Sequence, residues 1–370
     1  MAEKRIVVIG AGNIGSMIAD WLQSTGDYQV TITDQNKSVL DELDCQKTVE
    51  KKCVDASVPE ELDALLSDQY AVLSAAPFYL TKTIADAAAR AKIHYLDLTE
   101  DVASTRHVKQ VAENASTAFI PQCGLAPGFI TIVANDICKK FDELHDVRMR
   151  VGALPKFPSN ALNYNLTWST DGVINEYCEP CEAIVNGELR DVPPLEEKEA
   201  FALDGVQYEA FNTSGGLGTF CETLKGKVRN LNYRTIRYPG HCDIMKALLQ
   251  DLRLRDHRDQ LKSIFENSLP TTSQDVVIVF VTVSGLKNGK LHQDTYANKV
   301  YAQPINGVMR SAIQVTTAAG ICAVLDLLSR GELKGAGLVK QEDINLDAFL
   351  NNRFGSYYNP LGHKALDAAE

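Results

Sequence analysis

The sequence predicts an α/β protein: a doubly wound, Rossmann-type parallel sheet with a second α+β domain containing a largely antiparallel sheet. Three observations lead there. Residues 5–15 read R-I-V-V-I-G-A-G-N-I-G, an apolar run followed at once by G-x-G-x-x-G and an amphipathic helix. Strand-like and helix-like segments then alternate as far as Cys123. From Val147 onward that alternation gives way to apolar strands joined by turns.

Each element has its own reason. Ile6–Ile9 is apolar and short, as a buried parallel strand should be. Ile14, Met17, Ile18, Trp21 and Leu22 fall on one face of the helix that follows. Val30–Thr33 is the second strand and ends at Asp34. A third strand is expected around Thr48–Val54, ending at Asp55, and a helix after Pro59 with Leu62, Leu65 and Leu66 inward. Ala71–Ser74 is a buried strand followed by the turn Ala75-Ala76-Pro77. Thr81–Ala91 is an alanine-rich helix, Ile93–Asp97 a strand, Asp101–Ala115 a helix and Ala118–Pro121 the last of six strands. Further on, Val147–Val151 and Asn163–Trp168 read as strands, and Asp275–Ser284 pairs with Lys290–Tyr301 across the turn Gly285–Gly289. Val308–Ser329 is apolar on most of its surface, so it must be a buried helix. That places residues 305–370 with the first domain. The expected organisation is a dinucleotide-binding domain of residues 1–128 completed by 305–370, and a substrate domain of residues 129–304.

The glycine turn carries the first functional expectation. Gly10 permits the tight turn, Gly12 lets backbone approach a pyrophosphate, and Gly15 lets the helix pack on the strand. The helix N-terminus at Asn13 and Ile14 then faces the phosphates. Asp34 is placed to accept from ribose hydroxyls, and no Arg follows it to welcome a 2′-phosphate, although Lys37 is a partial substitute. The expected cofactor is therefore NAD. Ligands of doubly wound sheets bind beyond the C-terminal strand ends. That rule adds Asp55, Ala75, Ala76, Pro77, Asp97, Cys123 and Gly124 to the cofactor edge.

Composition narrows the classes. The 370 residues carry a net charge of −11, and no basic run offsets it, which argues against nucleic acid as a partner. No apolar stretch has the flanks of a leader or the length of a lipid span, so a cytoplasmic protein without a membrane partner is expected. The nine cysteines are scattered and are expected as reduced thiols. Cys178-Glu-Pro-Cys181 lacks a second ligand pair, so no metal is expected. Thr213-Ser-Gly-Gly-Leu-Gly218 lacks the Lys-Ser/Thr of a phosphate loop and reads as a turn or a substrate-side loop.

These motifs together resemble the saccharopine dehydrogenase family over nearly the whole chain. The features that carry the resemblance are G-A-G-x-x-G at Gly10–Gly15, Ala75-Ala-Pro77, Tyr95-Leu-Asp-Leu-Thr99 and Cys123-Gly-Leu-Ala-Pro-Gly128. Trp168-Ser169 with Gly172, Arg237-Tyr-Pro-Gly-His241, and the helix around Thr316-Thr317 with Gly320 complete the set. Within the family the chain looks most like the lysine 6-dehydrogenase branch. Saccharopine-forming members carry an aspartate where this chain has Ala126. The resemblance implies oxidation at an amine-bearing carbon with a nicotinamide as hydride acceptor, in a homodimer or higher homo-oligomer.

Arg237 and His241 flank the Pro-Gly turn. An Arg fork grips a carboxylate bidentately, and a His exchanges protons near neutral pH. With the resemblance, Arg237 is expected to anchor an amino-acid carboxylate, and His241 or Asp97 to assist water. Tyr238, Cys123 and Trp168 are expected at the substrate; Tyr164, Trp168 and Tyr177 are candidates to line its cavity, with aromatic core the commoner explanation for all three. The expected reaction is oxidative deamination of an amino acid, L-lysine at its side-chain amine. A saccharopine- or carboxynorspermidine-type secondary-amine reaction is the alternative, and a non-catalytic NAD sensor the second.

Overall fold

The computed structural model describes residues 3–43, 45–46 and 48–359. The first eleven elements are β1 (Lys4–Ile9), α1 (Asn13–Ser24), β2 (Tyr28–Asp34), α2 (Lys37–Glu42), β3 (Glu50–Cys53), α3 (Pro59–Leu66), β4 (Ala71–Ser74), α4 (Thr81–Ala91), β5 (His94–Asp97), α5 (Val102–Ala112) and β6 (Ala118–Ile120). Next come α6 (Phe129–Cys138), β7 (Glu143–Pro155), α7 (Thr170–Cys178), β8 (Cys181–Val185), β9 (Glu188–Val192), β10 (Glu199–Leu203), β11 (Val206–Asn212), α8 (Phe220–Leu224) and β12 (Val228–Arg237). The chain ends with α9 (His241–Lys246), α10 (Arg258–Ser268), β13 (Asp275–Lys287), β14 (Lys290–Tyr301), β15 (Gln303–Ile305), β16 (Val308–Arg310), α11 (Ala312–Ser329), β17 (Gly337–Leu338) and α12 (Leu346–Asn351).

The first sheet is parallel and seven-stranded, in the order β17-β6-β5-β4-β1-β2-β3. Its central strands are apolar because both faces are covered: Ile6, Val7, Val8, Val72 and Leu73 are all fully buried. The order reverses direction at β1, so the Gly10 turn opens at the switch point where such sheets bind ligands. Six strands were expected; the seventh, β17, joins from the far end of the chain and pairs with β6 through Gly337 and Leu338.

The second sheet runs β10-β11-β12-β7-β13-β14, with β8 on β12 and β9 on β8. Its pairs are antiparallel except β7 with β12, which is parallel. The expected strand at Asn163–Trp168 is not one. Asn163 takes a left-handed φ of +49°, and the Asn160 side chain donates to the Tyr164 carbonyl at 2.7 Å, which folds the segment into a loop. The expected helix from Val308 starts later. Val308–Arg310 is β16, and the helix begins at Ala312, where the Asp275 carboxylate accepts from the Ala312 and Ile313 amides.

The chain divides into two units, Met1–Phe129 with Ile305–Val308 and Thr316–Glu370, and Ile130–Pro304 with Met309–Val315. Residues 360–370 of the expected C-terminal segment lie outside the described residues. Helix α11 has the length and hydropathy of a membrane span, yet 83% of it is buried within the protein. In the first unit its Asp326 is a buried hub. It accepts from Tyr28 Oη (2.8 Å), Asn352 Nδ2 (2.7 Å) and Arg353 Nη2 (2.6 Å), and pairs with Arg330.

Candidate functional site

In the first unit the glycine turn is built by collisions that only glycine avoids. Gly10 has φ +100°, and a Cβ there would lie 2.7 Å from the Ala75 carbonyl oxygen. A Cβ on Gly15 would lie 1.8 Å from the Gly10 carbonyl oxygen. Gly12 differs, since nothing stands within 4 Å of an added Cβ. It is the N-cap of α1 and offers no capping side chain, so the first-turn amides are left to solvent or ligand. Asp34 Oδ2 accepts from the Ala11 amide at 3.0 Å and Oδ1 from the Asn36 amide at 2.9 Å. This pins a partly exposed carboxylate beside the turn. A dinucleotide fits these residues. Gly12, Asn13 and Ile14 would hold the pyrophosphate and Asp34 a ribose.

The neighbouring strand ends contribute unequally. The Ala75 amide donates to the Ile9 carbonyl at 2.8 Å, locking Ala75–Pro77 against the turn. Asp55 spends its carboxylate on the Ser57 amide (2.9 Å) and hydroxyl (2.7 Å). Asp97 is buried and fully engaged: Oδ1 accepts from the Thr99 and Gln122 amides, and Oδ2 from the Tyr95 hydroxyl at 2.8 Å. Burial outweighs these bonds and raises its pKa to about 6. The Cys123 amide donates to the Asp97 carbonyl at 2.8 Å. Its thiol donates to Ile120 and receives Gln341 Nε2. Burial, then Asp97, drives that thiol's pKa up, so Cys123 is a packing group and not a thiolate nucleophile. Gly124 closes a bridge with Gly128, and a Cβ on Gly320 of α11 would lie 2.5 Å from the Cys123 carbonyl oxygen. Sequence reasoning missed Glu100 on this edge. Burial, with repulsion from Asp101 and Asp97, raises its carboxyl to about 7. Its only signal was an acid just past a strand that already ends in one.

In the second unit the residues expected around the Pro-Gly turn separate into two groups. Arg237 and His241 come together with Tyr177. Arg237 Nε donates to Tyr177 Oη at 2.9 Å, and Tyr177 Oη lies 3.1 Å from His241 Nε2. His241 Nδ1 lies 2.8 Å from the Leu162 carbonyl oxygen. A carbonyl only accepts, so Nδ1 carries the proton and Nε2 accepts from Tyr177. Burial, then the Arg237 charge, lowers the His241 pKa to about 3. His241 is therefore neutral with its lone pair engaged, a geometry of a positioning group and not of a proton shuttle. The Tyr164 ring covers the Arg237 guanidinium at 5.0 Å. Tyr238 lies elsewhere: it donates to the Pro155 carbonyl and stacks on Tyr208 in the cluster of Leu154 and Ile236. Trp168 packs on α7, its ring 2.3 Å from where a Gly172 Cβ would be.

Glu209 is a second residue that sequence reasoning missed. It stands opposite Arg237 across β11 and β12, and its carboxylate accepts from the Gly240 (3.0 Å) and Cys242 (2.7 Å) amides. It thus holds the turn and caps α9; only strand register could have revealed it. Cys178 and Cys181 are buried free thiols with raised pKa values, chiefly through desolvation. Among the described residues no group of His, Cys, Asp and Glu is arranged to hold a metal.

The first unit thus holds a glycine turn at the switch point of its sheet, and the second a buried guanidinium at the end of β12. Comparison with known proteins then supplies the family. The profile described as Saccharopine dehydrogenase C-terminal domain matches residues 124–354, and that described as Saccharopine dehydrogenase NADP binding domain matches residues 6–120. The chain belongs to the saccharopine dehydrogenase family. Alpha-aminoadipic semialdehyde synthase, mitochondrial, of Bos taurus is 22% identical over 303 residues, 76% of this chain and 32% of that protein. Saccharopine dehydrogenase (NADP(+), L-glutamate-forming) of Saccharomyces cerevisiae is 22% identical over 278 residues, 70% of this chain and 60% of that protein. The matches thus span from 32% to 60% of these two relatives' lengths. The solved apo histidine-tagged saccharopine dehydrogenase (L-Glu forming) from Saccharomyces cerevisiae shares the fold. Its TM-score is 0.78 at 16% identity, covering 94% of this chain and 96% of that one.

Proposed function

We propose that the chain is an NAD-dependent amine dehydrogenase that deaminates an amino acid oxidatively, with L-lysine, attacked at its side-chain amine, as substrate. The observation that carries the reading is Arg237, a buried guanidinium whose bonds leave donors for a carboxylate. A nicotinamide, when bound, supplies the hydride acceptor. Arg237 fixes the substrate through its carboxylate. Asp97 and Glu100, in the nucleotide unit, have carboxyls that burial raises to about 6 and about 7. His241, neutral and bonded to Tyr177 and Leu162, is assigned a positioning role.

Support for NAD is Asp34, whose charge beside the turn opposes a 2′-phosphate. The family profile and the yeast relative are both described with NADP, so the two cofactors must be compared directly. Support for lysine is Ala126, a methyl group where the saccharopine-forming pattern has a carboxylate. A saccharopine-type secondary amine is the second reading, favoured by the relatives' names.

The test is a screen of lysine, saccharopine and carboxynorspermidine at equal concentration with NAD and with NADP, following reduced cofactor and ammonia together. Ammonia in step with NADH from lysine supports the proposal. Saccharopine turnover yielding glutamate, with none from lysine, replaces it by the second reading. No turnover of any amine leaves a nucleotide sensor.

A further inference from the structure

Arg237 has five N–H donors, and the structure spends two. Nε bonds the Tyr177 hydroxyl at 2.9 Å, and Nη1 bonds the Ile236 carbonyl at 2.9 Å. The residue as a whole is 3% exposed. Desolvation opposes its charge, but Tyr177, Tyr164 and Glu176 more than offset this and hold its pKa above the ordinary value. The faces nearest the guanidinium are the rings of Tyr164 at 5.0 Å and Tyr177 at 5.8 Å. The Tyr164 hydroxyl is itself buried and makes no hydrogen bond of full geometry among the described residues, with Thr167 and Trp168 as its polar neighbours. Glu176 is the acid whose charge acts on this buried cation, and no carboxylate among the described residues is hydrogen-bonded to the guanidinium itself, which leaves Nη2 for an incoming anion.

Tyr177 is the hinge of this arrangement. It is fully buried on α7 and reaches both functional side chains of the Pro-Gly turn. Its single proton goes to His241 Nε2, because the opposite ring nitrogen must donate to Leu162. Its lone pair is then free to accept from Arg237 Nε. The chain of donors runs one way, from Arg237 through Tyr177 and His241 to a backbone carbonyl. A neutral His241 keeps a second positive charge out of the site.

We infer that Tyr177 is the positioning residue of a buried carboxylate site: by bridging Arg237 and His241 it turns the guanidinium so that Nη1 and Nη2, with the Tyr164 hydroxyl, receive one substrate carboxylate. This rests on the reading of Arg237 as the carboxylate anchor, and the experiment separates the two.

The probe is 6-aminohexanoate, which has a carboxylate and a terminal amine but no α-amino group. Its binding is measured by calorimetry with and without NAD, on wild type, Tyr177→Phe and Arg237→Ala. Nitrogen-15 spectra of His241 are recorded alongside. Tyr177→Phe is expected to weaken binding about tenfold, the worth of one hydrogen bond to a charged group. It should also move the His241 Nε2 resonance to its unbonded position. Arg237→Ala should abolish binding. If Tyr177→Phe binds within twofold of wild type while Arg237→Ala does not bind, the positioning role is overturned and the anchor stands. If Arg237→Ala binds normally, or wild type does not bind, the anchor reading falls and takes this one with it. Should Tyr177→Phe fail to melt cooperatively, the wild-type spectrum alone decides. A proton on Nε2 instead of Nδ1 overturns the bridge, and one on Nδ1 with a hydrogen-bonded Nε2 upholds it.

Discussion

At Gly10–Gly15 the chain offers a ligand its backbone; at Arg237 it offers a side chain held by other side chains. The first site is made within a few residues, by a turn whose close approaches exclude any Cβ at Gly10 and Gly15. The second gathers Leu162, Tyr177, Arg237 and His241 from a loop, a helix, a strand end and a second helix start. A backbone site is a spacing, and spacing is visible in a sequence. A side-chain site is a product of packing, and becomes visible only when the sheet brings its parts together. The two also differ in what a mutation does. Damage to the turn acts on the ligand through shape, whereas damage at Arg237 acts by removing the charge that a buried carboxylate would need.

The largest expected effect tests whether the backbone site depends on distant packing. Truncation after Gln303 removes α11, β17 and Asp326 with its partners. The nucleotide unit should become molten or insoluble, with nucleotide binding lost. A truncated chain that binds NAD and melts cooperatively would show that the turn stands without its C-terminal half.

Next comes the turn itself, where two glycines should part company. Gly15→Ala drives a methyl into the Gly10 carbonyl, so both stability and nucleotide binding should suffer, the former by about 1–3 kcal/mol. Gly12→Ala meets open space, so its melting point should stay near wild type while nucleotide affinity drops tenfold or more, on the order of the cost of one lost charged hydrogen bond. Normal affinity in Gly12→Ala would remove the pyrophosphate from this position. A smaller effect belongs to Asp34→Ala, which should narrow any preference for NAD over NADP by roughly tenfold. Equal catalytic efficiency with both cofactors in the wild type would dispose of that preference.

The smallest effect contrasts the two units by pH. His241 has a pKa lowered to about 3, so it stays neutral when the unfolded chain takes up a proton near 6.5. Its contribution to stability is present above 6.5 and is lost as pH falls toward 3. Asp97 and Glu100 work the other way. With pKa values raised to about 6 and about 7, they keep protons that the unfolded chain has released, so their contribution is lost as pH rises through that window. Acidification from pH 7 to 5 should therefore loosen the second unit through His241 and tighten the first through Asp97 and Glu100. Denaturant midpoints of His241→Gln and Glu100→Gln at both pH values measure this. Each variant should flatten the response in the opposite direction, and a common direction would refute the assignment.

What was legible in the sequence follows the same division. Thr81–Ala91 and Lys290–Tyr301 were bounded correctly because propensity and turn residues agreed at both ends. The parallel sheet was legible because a G-x-G-x-x-G turn and alternating elements leave few topologies. The seventh strand was not, since Gly337 and Leu338 carry no strand pattern and are recruited only by the free edge of β6. Val308–Arg310 looked helical because it abuts an apolar helix. The Asn306-Gly307 pair, both at positive φ, makes it a hairpin arm instead. Arg237 and His241 were visible as chemistry, but the tyrosine between them was read only as an aromatic lining, because hydrogen-bond direction has no sequence signature. Glu209 was invisible for a related reason: its role is defined by register with β12.

The discontinuity of the nucleotide unit has a consequence in the order of synthesis. Its sheet begins with Lys4 but is closed only when Gly337 and Leu338 pair beside β6, and its Tyr28 finds its carboxylate only when Asp326 exists. Between the making of Ile120 and of Leu338, β6 is a bare sheet edge on a growing chain. At about 5–20 residues per second that interval is roughly 10–40 s. Throughout it the second unit, encoded in between, emerges whole. The part of the protein that is made first is thus the part that finishes last, and its exposed edge is the stretch that a nascent-chain chaperone would have reason to shield.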